Sequence, residues 1–257
     1  MNHGLRRLKS WQRRLDSWQR LGARAFMAAL LPAAMTQAAP LTAVEDSMAQ
    51  RVQACTGCHG PHGRAAADGY QPRIAGKPAG YLYHQLLSFR DGRRPYALMT
   101  QLLAPLSDSY LREIAEHFAD LDVPYLPAPQ TTVKPNPIEW ARGEALVRRG
   151  DAALKLPACA QCHGDALMGV VPAVPALLGL PRDYLNAQLG AWRTGARHAV
   201  APDCMAQIAQ RLAPTDIAAL SLWLSAQPVP SASKPALSLP AALPQDCGGV
   251  TVKIAPP

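Results

Sequence analysis

The sequence lacks a long hydrophobic run and also lacks regular alternation of apolar and polar residues. Its N-terminal apolar run, from Phe26 to Met35, is about ten residues long and includes Pro32, whereas a membrane-spanning helix needs roughly 20 apolar residues. No stretch alternates convincingly enough to indicate a half-buried strand. The sequence therefore argues against a membrane-spanning helix and against a sheet, and it favours an all-α fold.

An excess of positive charge is also lacking once the first 38 residues are set aside. Seven of the 26 Lys and Arg residues precede Ala38, and the rest of the chain has 19 basic and 17 acidic residues. The basic stretch, the apolar run and the small residues near Ala38 are typical of a signal peptide, which we predict at residues 1–38. The alternative is an amphipathic membrane anchor, suggested by the spacing of Trp11, Leu15 and Trp18. Because the formal net charge of +8 belongs mostly to this segment, it does not indicate a nucleic-acid partner.

The pentapeptide Cys-x-x-Cys-His occurs twice in the chain. Its chemically active residues are Cys55, Cys58 and His59 in the first copy and Cys159, Cys162 and His163 in the second. Two thiols at this spacing attach a haem covalently while the next imidazole binds its iron, which is the signature of c-type haem attachment. Four thiols could instead bind zinc, but the offset of 104 residues and the histidine after both pairs favour two covalently bound haem c groups.

Superposing the two motifs brings the rest of the sequence into register as an internal repeat. Cys55 aligns with Cys159 at an offset of 104, Tyr81 and Gln85 with Tyr184 and Gln188 at 103, and Met99 with Met205 at 106. These similar offsets predict two copies of one helical domain, at residues 41–121 and 138–227. The intervening residues 122–137 contain five prolines, as in a semi-rigid linker, and residues 228–257 are expected to form an extended tail.

Helix boundaries and apolar stripes can be placed within each copy. Pro78 and Pro181 stand where helices would begin, Gly92 and Gly195 stand where they would end, and Ser107 is a candidate N-cap. Before the haem motifs, apolar residues recur at helical spacing at Val44, Met48 and Val52 in the first copy and at Ile138, Ala141, Ala145 and Leu146 in the second. In the last helix of each copy they recur at Leu111, Ile114, Ala115 and Phe118, and at Ile217, Leu220 and Leu224.

A haem iron bound by one histidine has a second axial position, and its ligand separates an electron carrier from an oxygen- or peroxide-handling enzyme. Met99 and Met205 lie 44 and 46 residues after the first cysteine of their motifs, at equivalent places in the repeat. A thioether there favours ferrous iron and raises the reduction potential. We therefore expect both to bind iron, although methionine more often packs in a core. Met168 is expected to pack, and the histidines without repeat partners to be surface or supporting groups: His62, His84, His117 and His198.

Two cysteines remain after haem attachment, Cys204 and Cys247. In an oxidising compartment such a pair is most simply a disulfide, here closing a loop of 43 residues worth at most roughly 4 kcal/mol. The alternative is a Cys204 thiolate on the second iron, which would depress its potential and indicate sulfur chemistry.

Residues around each haem follow from what its ligands and propionates require. A ligating histidine normally donates its other N–H to a carbonyl, and Pro72 and Pro175 are placed to supply one each. Propionates need hydrogen-bond donors, and the candidates, which could equally be solvated surface residues, are Tyr81, Tyr184, Arg90, Arg93, Arg193 and Arg197.

Taken together, these motifs resemble the two-domain dihaem cytochromes c of the c4 type. The resemblance covers residues 44–227 and rests on both haem motifs, residues 72–76 and 175–179, the Tyr-Leu-x-x-Gln-Leu segments from Tyr81 and Tyr184, and the methionine segments. It implies two tandem class I cytochrome c domains with His/Met ligation. The tail after Gln227 and the extra cysteines depart from the family pattern.

The leading hypothesis is a periplasmic dihaem carrier that exchanges electrons with protein partners and performs no bond-making chemistry of its own. The resemblance implies a donor such as a dehydrogenase or bc-type complex and an oxidase as acceptor, with membrane association only through a partner. One alternative is a haem-bearing subunit of a dehydrogenase or oxidase complex that docks through the tail. Another is a sulfur-compound oxidoreductase or peroxidase, with Cys204 near the second haem.

Overall fold

The computed structural model describes residues 46–66, 70–125, 135–231 and 233–250. The predicted signal peptide and Val44 lie outside the described residues. The first half contains α1 (Met48–Arg51), α2 (Gln53–His59), α3 (Ala79–Arg90), α4 (Ala97–Leu103) and α5 (Asp108–Asp120). The second half contains α6 (Pro137–Arg148), α7 (Cys159–His163), α8 (Arg182–Arg193), α9 (Cys204–Arg211) and α10 (Pro214–Ser225). Apart from isolated bridge pairs, the described residues form no strand, which confirms the all-α prediction.

Local sequence signals define the ends of the equivalent helices α3 and α8. Pro78 and Pro181 occupy the N-cap positions. A backbone N–H there has no acceptor within the helix, so proline, which lacks this N–H, costs no hydrogen bond. Gly92 and Gly195 follow the last turns with φ of 77° and 74°, a left-handed conformation that favours glycine. The Ser107 hydroxyl accepts a hydrogen bond from the N–H of Tyr110 and so caps α5. These predicted boundaries are confirmed.

Each half has its own hydrophobic core. In the first half α5 packs on α3 through the predicted stripe, which is buried together with Leu82 and Tyr83. In the second half α10 packs on both α6 and α8, and the predicted Ile217, Leu220 and Leu224 are all buried. Burial of one such side chain contributes about 1.5–3 kcal/mol, so each half has enough apolar contact to hold its haem motif in place.

The buried face of α6 agrees with the predicted stripe at Leu146 but differs from it at the start of the helix. Ile138 is 81 % exposed and Ala141 is exposed, whereas Gly143, Leu146 and Val147 are buried. The reason is a close crossing with α10, since a Cβ atom at Gly143 would lie 2.3 Å from the carbonyl oxygen of Ala219. The helix α6 therefore packs on α10 with Gly143, its smallest residue, and not with the apolar residues of its first turns.

The two halves contact each other through main-chain hydrogen bonds on both sides of α3. The N–H of Gly80 donates to the carbonyl of Pro172 at 3.0 Å, and the N–H of His198 donates to the carbonyl of Arg93 at 2.7 Å. Two such bonds near the two ends of α3 fix this helix against the second half.

The C-terminal tail lies along the second half without forming a helix or strand over its described residues. Ala236 accepts a hydrogen bond from the N–H of Val171 and donates one to Gly169, both at 2.9 Å. Further along, a disulfide joins Cys247 to Cys204 at the start of α9. None of the helices in the described part of the chain is long and apolar enough to cross a membrane.

Candidate haem sites

The two histidines of the haem motifs end short helices and are oriented in the same way. A glycine with positive φ follows each of them and ends α2 and α7. Nδ1 of His59 lies 2.8 Å from the carbonyl oxygen of Pro72, and Nδ1 of His163 lies 2.8 Å from that of Pro175. Because a carbonyl oxygen only accepts, Nδ1 must carry the hydrogen and Nε2 keeps its lone pair for iron.

Burial favours the neutral form of both imidazoles. It lowers the pKa of His59 and of His163 below the ordinary value, outweighing the hydrogen bonds to the proline carbonyls. Nearby cations act in the same direction, Arg94 on His59 and Lys77 on His163. A neutral imidazole is the form that binds a metal ion.

The first cysteine of each motif packs against a hydrophobic core, whereas Cys58 is exposed. Burial raises the pKa of the Cys55 thiol to about 11 and that of Cys159 to about 12. Such surroundings disfavour a thiolate, but they suit the neutral thioether sulfur of a covalently attached haem. In the described ranges no group of three or more His, Cys, Asp or Glu side chains is arranged to bind a metal ion, so the two cysteine pairs do not form one zinc site.

In the second half the motif faces a single cavity. Cys159, Cys162, His163 and Met205 all line it, and most of its remaining wall is apolar, including Leu185, Ile208, Leu220 and Leu224. Two cysteines, a metal-binding imidazole and a thioether around an apolar cavity fit a covalently attached haem. Met168 does not line this cavity and is buried in the core, as expected.

In the first half Met99 lies in α4 and packs, partly buried, against the core that also includes Cys55. Short helices carry both methionines, and equivalent arginines tie these segments to the preceding helix. Arg90 donates to the carbonyl of Leu106 at 3.1 Å, and Arg193 donates to that of Leu212 at 2.9 Å. The structure therefore places these two arginines at the ends of the methionine segments, and their expected contacts with haem propionates stay a prediction.

Polar side chains at the contact between the halves form a group here called the interface cluster. The sequence pointed to Tyr81, Tyr184 and Arg197 among its members, but not to the cluster as a whole. Its members are Lys77, Tyr81, Gln85, Arg94, Tyr184, Gln188 and Arg197. Arg94 donates to Gln85, Tyr184 and Gln188 at 3.0, 2.9 and 2.8 Å. Arg197 donates to both Gln85 and Gln188 at 2.6 Å.

The interface cluster carries buried positive charge without a matching acid. Within the described residues, no carboxylate forms an ion pair with Lys77, Arg94 or Arg197. Burial lowers the pKa of Lys77 to about 8 and that of Arg197 to about 10. Buried cations need an anionic partner, and the carboxylates of haem propionates fit this requirement.

The predicted propionate donors are thus divided between different environments. Tyr81, Tyr184 and Arg197 belong to the interface cluster, whereas Arg93 bonds to Asp91 at 3.1 Å. The offset of 103 that pairs the tyrosines also pairs Arg197 with Arg94, not with Arg93. That offset was the signal that could have identified Arg94.

The predicted disulfide between Cys204 and Cys247 is confirmed. The bridge lies next to Met205, and the tail residues Cys247 and Gly249 line the cavity of the second site. Nδ1 of His84, on α3 of the first half, lies 3.0 Å from the carbonyl oxygen of Gly249. The tail therefore contacts both halves, and the bridged Cys204 is not a free thiolate.

Two helical halves of one repeat, each with a haem-attachment motif and a histidine held for iron, define a dihaem c-type cytochrome. The chain is 37% identical over 175 residues to a thiosulfate dehydrogenase electron acceptor of Thiomonas intermedia, covering 68% of this chain and 79% of that protein. It is 36% identical over 172 residues to cytochrome c4 of Pseudomonas aeruginosa, covering 66% of this chain and 82% of that protein. No family model matches the chain.

Solved structures agree with these relatives. Cytochrome c4 from Pseudomonas stutzeri superposes with a TM-score of 0.57 at 30% identity, covering 68% of this chain and 94% of that one. Thiosulfate dehydrogenase TsdBA from Marichromatium purpuratum superposes with a TM-score of 0.60 at 32% identity. The matched part is 68% of this chain but only 36% of that longer chain. The chain belongs to the cytochrome c4 family of dihaem electron-transfer cytochromes. Its cofactors are two covalently bound haem c groups, and it acts with redox partners.

Proposed function

We propose that this protein is a periplasmic electron carrier that accepts electrons from a thiosulfate-oxidising dehydrogenase and passes them to a terminal oxidase or another acceptor. The donor class rests on the relatives, two of which are named thiosulfate dehydrogenase electron acceptors, at 37% and 35% identity. The compartment rests on the predicted signal peptide and on the disulfide, a bond that persists in oxidising compartments.

The proposed site residues follow the repeat. Cys55 and Cys58 attach the first haem, and His59 and Met99 bind its iron. Cys159 and Cys162 attach the second, and His163 and Met205 bind its iron. The proposed domains are residues 41–121 and 138–227, joined by the linker at 122–137. A haem c in each site supplies a one-electron Fe(III)/Fe(II) couple.

The protein's own residues hold the proposed iron ligands in place. The prolyl carbonyls fix the histidine rings at 2.8 Å, and Arg90 and Arg193 hold the ends of the methionine segments. If His59 with Met99 and His163 with Met205 held the two irons, these fixed side chains would leave no place for a substrate and would rearrange little when the charge on iron changes. This arrangement suits electron carriage better than peroxide or oxygen chemistry.

The interface cluster is the single observation that carries the proposal of a two-haem relay. Arg94 and Arg197 each bond to glutamines of both halves, and Gln85, Gln188 and Arg197 line the cavity of the second site. Towards the first site, the charge of Arg94 acts on His59 and lowers its pKa. We propose that electrons pass between the two sites across this hydrogen-bonded interface.

A reconstituted assay tests the donor. The oxidised holoprotein is mixed with thiosulfate dehydrogenase, thiosulfate is added, and the absorbance of the reduced haem band is followed by stopped flow. We expect reduction only when both enzyme and thiosulfate are present, and ascorbate serves as the control reductant. If ascorbate reduces both haems but the enzyme with thiosulfate does not, the electron-carrier function stands and the proposed donor is wrong.

The alternatives receive no specific support from the contacts. A tail that docks on a partner is less favoured because residues 233–250 are already bonded to the second half and to His84. A sulfur-compound oxidoreductase using Cys204 would first need the bridge to Cys247 to be reduced.

A further inference from the structure

The interface cluster is paired across the repeat at every position but one. Tyr81 pairs with Tyr184, and the glutamines and arginines pair at the same offset of 103. Lys77, just before Pro78, instead has Leu180 as its counterpart just before Pro181. Both residues are buried, at 6% and 8% exposure. The asymmetry therefore places one additional cation, contributed by the first half, at the contact between the halves.

Lys77 lies on the second site although it belongs to the first half. It lines the same cavity as Cys159, Cys162 and His163. The bond from the N–H of Gly80 to Pro172 holds the start of α3 against the second half at this point, so the lysine is fixed there by the docking of the two halves.

The surroundings of Lys77 leave its charge without an acidic partner from the protein. The charged or titratable groups that act on it are Tyr184, Arg73 and Arg94, and no Asp or Glu is among them. A buried ammonium beside the second site, repelled by two arginines, favours any nearby negative charge. It also favours the reduced state of a nearby iron, since reduction removes one positive charge.

We propose that Lys77 is a residue of the second haem site contributed by the first domain, where it binds a propionate and stabilises the reduced state of the second haem. The reduction potential of that haem then depends on the docking of the two domains. This inference rests on the proposed haem assignment and adds to it a specific determinant of how electrons are distributed between the two sites.

The test is a potentiometric titration of the full-length holoprotein and its Lys77→Met variant, followed by visible absorbance. The step that belongs to the second haem is identified with Met205→His, because an imidazole in place of the thioether lowers that step. Lys77→Met is expected to lower the equilibrium constant for reducing the second haem by on the order of tenfold, the size expected for one unit charge in a partly screened interior. The first step should change much less, and Lys77→Arg should restore the second.

Lys155→Met is the matched control, since it removes an exposed lysine from the second half and should shift neither step. Haem content and thermal unfolding are measured for each variant, and Lys77→Gln replaces Lys77→Met if the latter fails to fold. An unchanged second step in a variant with both haems, or an equal shift of both steps, overturns the proposal. In that case thiosulfate dehydrogenase with thiosulfate would still reduce the protein, so failure of this proposal can be told apart from failure of the proposed function.

Discussion

Arg197 of the second half donates a 2.6 Å hydrogen bond to Gln85 of the first half. Its repeat counterpart Arg94 makes the reciprocal contact with Gln188 at 2.8 Å. Equivalent residues of the two halves therefore exchange equivalent bonds, and the interface has an approximate twofold character that follows directly from the duplicated sequence.

Replacing Gln85 with Leu should weaken this interface. Both Arg94 and Arg197 would lose an acceptor in a buried setting, at a cost of about 1–3 kcal/mol in the free energy of unfolding. Urea unfolding of the holoprotein measures the effect. Gln101→Leu, at an exposed position of α4, is the control and should change stability by less than about 0.5 kcal/mol; equal losses in the two variants would contradict the assigned role of the glutamine.

Removing Met205 should open the second iron to external ligands. In Met205→Ala the thioether is gone, so the reduced protein should bind carbon monoxide at one haem, whereas the native protein should bind none. Absorption and EPR spectra of the oxidised protein should also lose one of two low-spin His/Met signals. Met168→Leu removes a buried methionine that packs in the core and should keep both signals. Native protein that binds carbon monoxide promptly at both haems would refute methionine ligation.

Breaking the disulfide should destabilise the second half. The bridge closes a loop with a sequence separation of 43, for which the chain-entropy model gives at most roughly 4 kcal/mol. The Cys204→Ser/Cys247→Ser double variant should therefore unfold at lower urea concentration, and a reductant should lower the stability of the native protein but not of this variant. Thiol titration of unfolded, unreduced native protein should find no free thiol; two free thiols would be inconsistent with the bridge.

Adding a methyl group at Gly143 should destabilise the α6–α10 contact. The new Cβ would lie 2.3 Å from the carbonyl oxygen of Ala219 and 2.8 Å from the Cβ of Trp223, so the helices must separate, at about 1–3 kcal/mol. Gly190→Ala in α8 is a matched control, because nothing lies within 4 Å of its Cβ position. That variant should gain up to about 1 kcal/mol from helix propensity. Thermal unfolding of both variants distinguishes crowding from a general effect of alanine.

Lowering the pH should destabilise the folded protein through burial of His84, the histidine that contacts the tail. Burial lowers the pKa of His84 from 6.5, which outweighs the opposing hydrogen bond to Gly249, and Arg93 lowers it further. The unfolded chain then binds the proton more readily than the folded one, so stability falls as the pH drops below about 6.5. One proton gives at most about 1.4 kcal/mol per pH unit, and solvent screening of this half-buried group reduces that figure.

Urea unfolding at pH 7.5 and 5.5 measures the effect of His84. The loss of stability between the two pH values should be smaller in His84→Gln than in the native protein. Gln101→Leu, which alters an exposed residue of α4 that does not titrate, should leave the loss unchanged. A loss that is identical in all three proteins would argue against a role for His84.

Local chemistry explains which parts of the fold the sequence could predict. Pro78 and Gly92 act within one helical turn, and the repeat carries the same boundaries to the second half. The contact between the His59 ring and the Pro72 carbonyl likewise depends on a single loop. These features need no knowledge of how the helices pack, so they can be read from the chain.

Features that depend on packing between helices or halves could not be predicted in this way. The face of α6 is set by its crossing with α10 at Gly143, and Ile138 was predicted on the wrong side because hydrophobic spacing alone cannot show where a close crossing falls. Lys77 reaches the cavity of the second site only because the two halves are in contact, so its proposed role cannot be read from one copy. Arg94 could have been found only by comparing the two copies at the offset of 103.

The path of the tail has a consequence for the maturation of the protein. Cys247 and Gly249 line the same cavity as Cys159 and Cys162, so the bridged tail forms part of the wall around the second haem site. We therefore expect thioether formation at the second motif to be faster before Cys204 and Cys247 are oxidised than after. The same stretch of chain would then take part in two kinds of covalent sulfur chemistry, with attachment of the porphyrin favoured first and the disulfide formed afterwards.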